Sequence, residues 1–145
     1  MLYFKIVKMK LQTIALIIWL CEGTKPRKDK RWKNAYSYAI EVTNTNPLII
    51  KIFIDFLRKI IKVPNQKMHA QVQIHKGDNQ KEIEFFWSNV TDIPITQFNK
   101  TIIREKGRKP EKTKGTFKIR IYDKIIFQKL ENLLRLELEK FNTGG

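Results

Sequence analysis

Among the acidic residues of this chain, Glu22 has the setting that most asks for a chemical explanation. An apolar run from Ile14 to Cys21 leads straight into Glu22 and Gly23. A carboxylate on the last turn of a helix opposes the negative end of the helix dipole, which is slightly unfavourable for stability. Such a local conflict is a place to look for function, and the function it suggests is one carboxylate delivered to a reaction by an apolar helix. Other catalytic patterns are missing from the sequence: there is no Gly-rich phosphate loop, no Ser-based triad and no clustered carboxylate motif. His69 and His75 have no Cys or Glu beside them at metal-ligand spacing.

The second chemistry the residues can do is to hold phosphates and read base edges. The segment KPRKDKRWK contains Lys25, Arg27, Lys28, Lys30, Arg31 and Lys33 against the single acid Asp29. A second basic loop, EKGRKPEKTKG, carries Lys106, Arg108 and Lys109. Two alternating segments add polar rows: Gln71, Gln73 and His75 in MHAQVQIHK, and Lys118, Arg120 and Tyr122 in TFKIRIYD. Arg and Lys grip phosphates, while Gln, His and Arg carry the donors and acceptors that distinguish bases. The plain alternative is that each row is an ordinary solvent-facing strand, and its occurrence twice in one basic chain weighs against that.

The totals point the same way. The chain has 145 residues, a formal net charge of +15, and 42% apolar residues, which is enough for one folded domain with one core. An excess of this size calls for an anionic partner, nucleic acid first and acidic lipid second, or else a solvated basic surface. Cys21 is the single cysteine, so a disulfide framework or zinc cluster within the chain is excluded, and it reads as a small buried hydrophobe. Trp19 and Leu20 stand where a signal-peptide cleavage site needs small residues, and Gln12 and Thr13 interrupt the run well short of a spanning helix. The expectation is a protein without a membrane segment, located inside the cell in the cytoplasm or an organelle.

The elements that must position these residues follow from periodicity. A helix is expected from about Lys10 to Glu22, buried on nearly every side from Ile14 onward and ended by Gly23. Tyr36 to Thr43 alternates as a strand. Asn46 then caps and Pro47 opens a helix whose polar residues Lys51, Asp55, Arg58, Lys59 and Lys62 form one exposed stripe. Met68 to Lys76 is a strand, and Gln80 to Val90 a short helix with Ile83, Phe86, Trp87 and Val90 along one side. Gln97 to Arg104 reads as a further strand, with imperfect alternation. A strand with Phe117, Ile119 and Ile121 inward precedes a terminal helix capped by Asp123 and running from Lys124 to about Lys140. No internal repeat is present.

With these pieces in place, the chain resembles the LAGLIDADG homing endonuclease family over nearly its whole length. The residues that carry the resemblance are the acid-glycine pair Glu22-Gly23 in EGTK, the turn TNTNP from Thr43 to Pro47, and Phe86-Trp87. The similarity is closest to the single-motif branch. It implies an α+β fold of αββαββα type with a saddle-shaped antiparallel sheet lying in the DNA major groove. It also implies a homodimer through the Ile14–Cys21 helix, with double-stranded DNA as partner. Glu22, with the Gly23 backbone beside it, would then be both catalytic and metal-binding, holding Mg²⁺ or another divalent cation such as Mn²⁺ for phosphodiester hydrolysis. Two departures stand out: Leu16 and Ile17 occupy positions where the family has small residues, and glutamate replaces the commoner aspartate. The alternative from a different class is a DNA- or RNA-binding module, a regulator or intron-splicing helper, that keeps the fold without cleavage.

Overall fold

In the computed structural model the described residues are 2–23, 27–28, 36–105 and 114–142. The chain opens with helix α1 (Leu2–Glu22), followed by the short paired strands β1 (Arg27–Lys28) and β2 (Tyr36–Ser37). Then come β3 (Ala39–Asn44), α2 (Pro47–Phe56), β4 (His69–His75), α3 (Gln80–Thr91), β5 (Ile102–Arg104), β6 (Thr116–Tyr122) and α4 (Lys124–Asn142). The main sheet has four strands in the order β3-β6-β4-β5. The protein is thus α+β, with helices on one side of a mixed sheet.

Alternation decides which face is covered. Ile40 and Val42, Ala70, Val72 and Ile74, and Phe117, Ile119 and Ile121 are all buried, and the helices pack onto them through Leu16, Ile50, Phe53, Trp87 and Phe127 among others. Strand residues two apart share a face, so the polar residues between these positions face away from the helices. Trp87 stacks on Phe117 with ring centroids 5.0 Å apart, and its indole N–H donates to the Lys114 carbonyl at 2.7 Å. Gly115 next to it adopts φ +71°, and a Cβ there would lie 2.6 Å from the Gln73 carbonyl. That position therefore needs glycine for both conformation and space.

The caps expected at Asn46 and Asp123 are present, and Asn79 supplies a further one that was not expected. The Asn46 side chain accepts from the Leu48 N–H at 2.9 Å, with Pro47 opening α2. Asn79 caps α3 by accepting from Glu82, and Asp123 accepts from the Ile126 N–H at 3.0 Å.

Several expectations need correction. The first helix begins at Leu2, not near Lys10, and is one-sided: Ala15, Leu16 and Trp19 are buried, whereas Ile14 and Ile17 are 48% and 37% exposed. Cys21 is exposed, not buried, because it lies on the same outward side as Ile14 and Ile17, seven and four residues earlier. The strand expected over Gln97–Arg104 shrinks to Ile102–Arg104, since Ile95–Gln97 forms a helical turn and the Gln97 side chain donates to the Met68 carbonyl. β5 runs parallel to β4, so the sheet is mixed, not antiparallel throughout. α3, the helix expected over Gln80 to Val90, fills the connection that a parallel neighbour requires; the described residues hold four helices, one more than the αββαββα pattern that the resemblance implies. Arg58, read as part of an exposed stripe, instead donates to the Thr91 and Asp92 carbonyls at the end of α3 and to Asn65. It is reached because α2 continues into a π-turn over Leu57–Ile61, which rotates the following residues relative to a regular helix.

Candidate nucleic-acid interface

The outer face of the sheet is built in rungs by strand register. Glu41, Arg120 and His69 stand side by side across β3, β6 and β4; Thr43, Lys118 and Gln71 form the next rung; Thr116 and Gln73 follow. At the β4–β5 edge His75 pairs with Arg104. The structure therefore brings Gln71, Gln73, His75, Lys118, Arg120 and Tyr122 onto one surface. All of these are half-buried except Tyr122, which is exposed. With strands about 4.8 Å apart and about 3.3 Å per residue, the polar face across β3, β6 and β4 is about 10 Å wide and roughly 20 Å long, comparable with a major groove about 12 Å wide.

Glu41 organises the centre of this face, and the sequence reading did not single it out. One of its oxygens, Oε2, accepts from Arg120 through Nε and Nη2, and Oε1 lies 3.7 Å from Lys118 Nζ. Arg120 also donates to the Tyr122 hydroxyl at 2.7 Å, and its guanidinium lies 5.6 Å from the Tyr122 ring centroid. Burial would lower the Arg120 pKa, but the hydrogen bonds to Tyr122 and Glu41 together with the Glu41 charge outweigh it and raise the value. His69 meets Tyr122 edge-to-face at 5.8 Å. The signal that could have found Glu41 is its parity: it alternates with Ile40 and Val42, so it shares the outward face with Arg120 wherever β3 and β6 pair.

Gln71 is partly committed to structure. Its side-chain amide donates to the Lys100 carbonyl at 2.8 Å, tying the segment before β5 to β4. Its amide oxygen makes no such contact. His75 ends β4, where its backbone N–H donates to Asp78 at 2.9 Å in the turn that leads to α3.

Of the loop residues, Arg27 and Lys28 have their backbones in β1, paired with Ser37 and Tyr36. Lys25, Lys30, Arg31, Lys33, Lys106, Arg108 and Lys109 lie outside the described residues.

Glu22 is exposed at the end of α1, whose last turn has no basic residue to offset it. Gly23 donates its N–H to the Trp19 carbonyl at 2.8 Å and forms an antiparallel bridge with Val42. A Cβ at Gly23 would lie 2.3 Å from the Trp19 carbonyl oxygen and 2.4 Å from Trp19 Cδ1. Glycine is therefore required by close approach, and it fastens the end of α1, with Glu22, to the rim of the sheet.

As a metal site in one chain, this is incomplete. No group of three or more His, Cys, Asp or Glu able to hold a metal ion occurs among the described residues. A Mg²⁺ ion takes one or two carboxylates together with phosphate oxygens and water, so a single exposed Glu22 has the chemistry to contribute a ligand but not to hold the ion alone. No described helix is long and apolar enough to cross a membrane. No protein-family model, curated protein or solved structure matches this chain.

Proposed function

We propose that the protein binds double-stranded DNA with the outer face of its sheet, and that two copies, joined along α1, bring two Glu22 carboxylates to the bound DNA for divalent-metal-dependent phosphodiester hydrolysis, as the LAGLIDADG resemblance implies. The observation that carries the reading is the three-strand polar face, where Arg120, Lys118, Gln73 and His75 are held at fixed strand spacing in a chain of net charge +15. Its donors suit base edges, and the basic side chains of the segments 25–33 and 106–109 suit phosphates.

The exposed, unburied side of α1 at Ile14, Ile17 and Cys21 is the surface that a second copy would cover. A bound Mg²⁺ would polarise the phosphate and lower the pKa of water. This chain's own contribution is positional: Gly23 holds Glu22 beside β3, the sheet face orients the duplex, and Glu41 sets the direction of Arg120.

The test combines binding and cleavage. For wild type, log K should fall with log salt at a slope of about −0.9 for each phosphate contact, and neutralising Lys118 and Arg120 should change sequence preference as well as affinity. With Mg²⁺, Glu22→Gln should abolish nicking while leaving binding intact. Tight binding by wild type without any cleavage would select the non-catalytic binding module. That second reading has its own support in the single carboxylate that each chain supplies. Salt-insensitive or absent DNA binding would refute both.

A further inference from the structure

Five lysines converge on the helical side of the molecule, away from the sheet face. Lys5 and Lys8 from α1, Lys59 and Lys62 from the π-turn after α2, and Lys140 from α4 line one cavity of about 270 Å³. A neighbouring concavity shares Lys59 and Lys62. Thr13, Ile60 and the buried Glu137 lie deeper than the exposed lysines.

The two acids in reach are already engaged. Glu137 accepts from the Thr13 hydroxyl at 2.6 Å and from Lys140 Nζ at 3.2 Å, and Asp55 lies 3.9 Å from Lys59. Among the described residues, Lys140 and Lys59 each face one of these carboxylates, and Lys5, Lys8 and Lys62 add three further positive charges around the same concavity. Ammonium groups gathered around one concavity set up a positive potential that attracts a multiply charged anion.

Local backbone geometry contributes to the arrangement. The π-turn over Leu57–Ile61 inserts an extra residue into the helical path, and Lys62 closes it in the left-handed region at φ 64°. π-turns of this kind are irregular and concentrate at functional sites. Here the turn sends Arg58 to the end of α3 while Lys59 and Lys62 line the cavity.

We propose that this cavity is a second anion site that takes a compact oligophosphate, such as a triphosphate group, whose negative charge matches the lysines around it. The volume is below the roughly 300–1,000 Å³ of a typical drug-sized ligand site, which favours a small, charge-dense ligand. A rigid duplex carries its phosphates on a convex surface and does not fit a concavity of this size. The site is independent of the sheet face and does not rest on the DNA-binding reading.

Calorimetric titration of the full chain with tripolyphosphate tests it, on wild type, on a cavity variant and on a sheet-face variant. The cavity variant is Lys8→Gln/Lys59→Gln/Lys62→Asn, with asparagine chosen because it tolerates the left-handed backbone at position 62. The sheet-face variant is Lys118→Gln/Arg120→Gln. Circular dichroism establishes that each variant is folded. Wild type should bind tripolyphosphate, the cavity variant should bind at least about tenfold more weakly, and the sheet-face variant should match wild type. Absence of binding to wild type, or equal affinity in the cavity variant, would overturn the proposal. Displacement of tripolyphosphate by a DNA duplex in the sheet-face variant would overturn it too, by assigning the lysines to a nucleic-acid backbone.

Discussion

Glu41 and Arg120 stand directly opposite each other across the β3–β6 ladder, and the Glu41 carboxylate holds Arg120 with one oxygen and faces Lys118 with the other. A single acid thus restrains both strand cations of the polar face. A side chain fixed before binding loses less conformational freedom when it meets a partner. Glu41→Gln should therefore act in two directions on DNA binding. Removing a negative charge should strengthen binding to arbitrary duplexes and steepen the salt slope by about one contact. Loss of the restraint on Arg120 should reduce discrimination between preferred and mismatched duplexes. Titrations of both duplexes at several salt concentrations check this, and an unchanged ratio would remove Glu41 from the recognition surface.

Gly23→Ala should destabilise the fold. The added methyl group meets the Trp19 carbonyl oxygen and indole at 2.3 and 2.4 Å, and these are backbone and a core ring that cannot move aside freely. A loss of about 1–3 kcal/mol is expected from such overpacking. Urea unfolding measures it. Stability equal to wild type would show that Trp19 and the end of α1 shift to admit the methyl group without cost.

Acid should weaken the protein through two carboxyls. The Thr13 hydrogen bond, against the opposing effect of burial and with help from Lys140, holds Glu137 below its ordinary pKa. The Lys67 hydrogen bond and the Ile126 backbone N–H hold Asp123 below its own. Both values are lower in the folded than in the unfolded chain, so the unfolded chain binds more protons in acid. Their contribution is present above the ordinary carboxylate range and is lost as pH falls through the folded values. Thr13→Val with Lys67→Gln should flatten this acid dependence. Denaturant unfolding at a series of pH values below about 6 checks it, and an undiminished slope in the double variant would point to other groups.

Arg58→Lys should cost more than a conservative exchange suggests. The guanidinium fork reaches two carbonyls at the end of α3 and the Asn65 side chain together, which one ammonium cannot reproduce. A loss of about 1–3 kcal/mol is expected from carbonyls left without their charged donor. Lys59→Gln, one residue on and exposed, should be nearly neutral. Equal effects from the two would contradict the bridging role.

Periodicity and capping made most of the fold legible. The alternation of Ala70, Val72 and Ile74 and of Phe117, Ile119 and Ile121 placed two strands and both of their faces, and Asn46-Pro47 and Asp123 marked helix starts. What periodicity could not reveal was which strands would be neighbours. The pairing of β6 between β3 and β4 is a long-range choice, and it alone brings Glu41 to Arg120. α1 misled for a related reason. Its apolar run is wider than the face that one chain buries, so composition suggested full burial where Ile14, Ile17 and Cys21 remain outside. Arg58 was hidden by the π-turn, which breaks the regular spacing on which a helical stripe is read.

The Gly23–Val42 bridge also bears on how copies of this chain behave towards one another when they are not meant to associate. β3 is a six-residue strand at the border of the sheet, and an uncovered border of that length is a template for stacking further strands into fibrils. The residue that follows Glu22 occupies part of that border with its own backbone. The opposite border, β5, is three residues long and ends in Arg104, which leaves little length for a partner strand to pair with. The turn that places the acid therefore also guards the protein against edge-on aggregation.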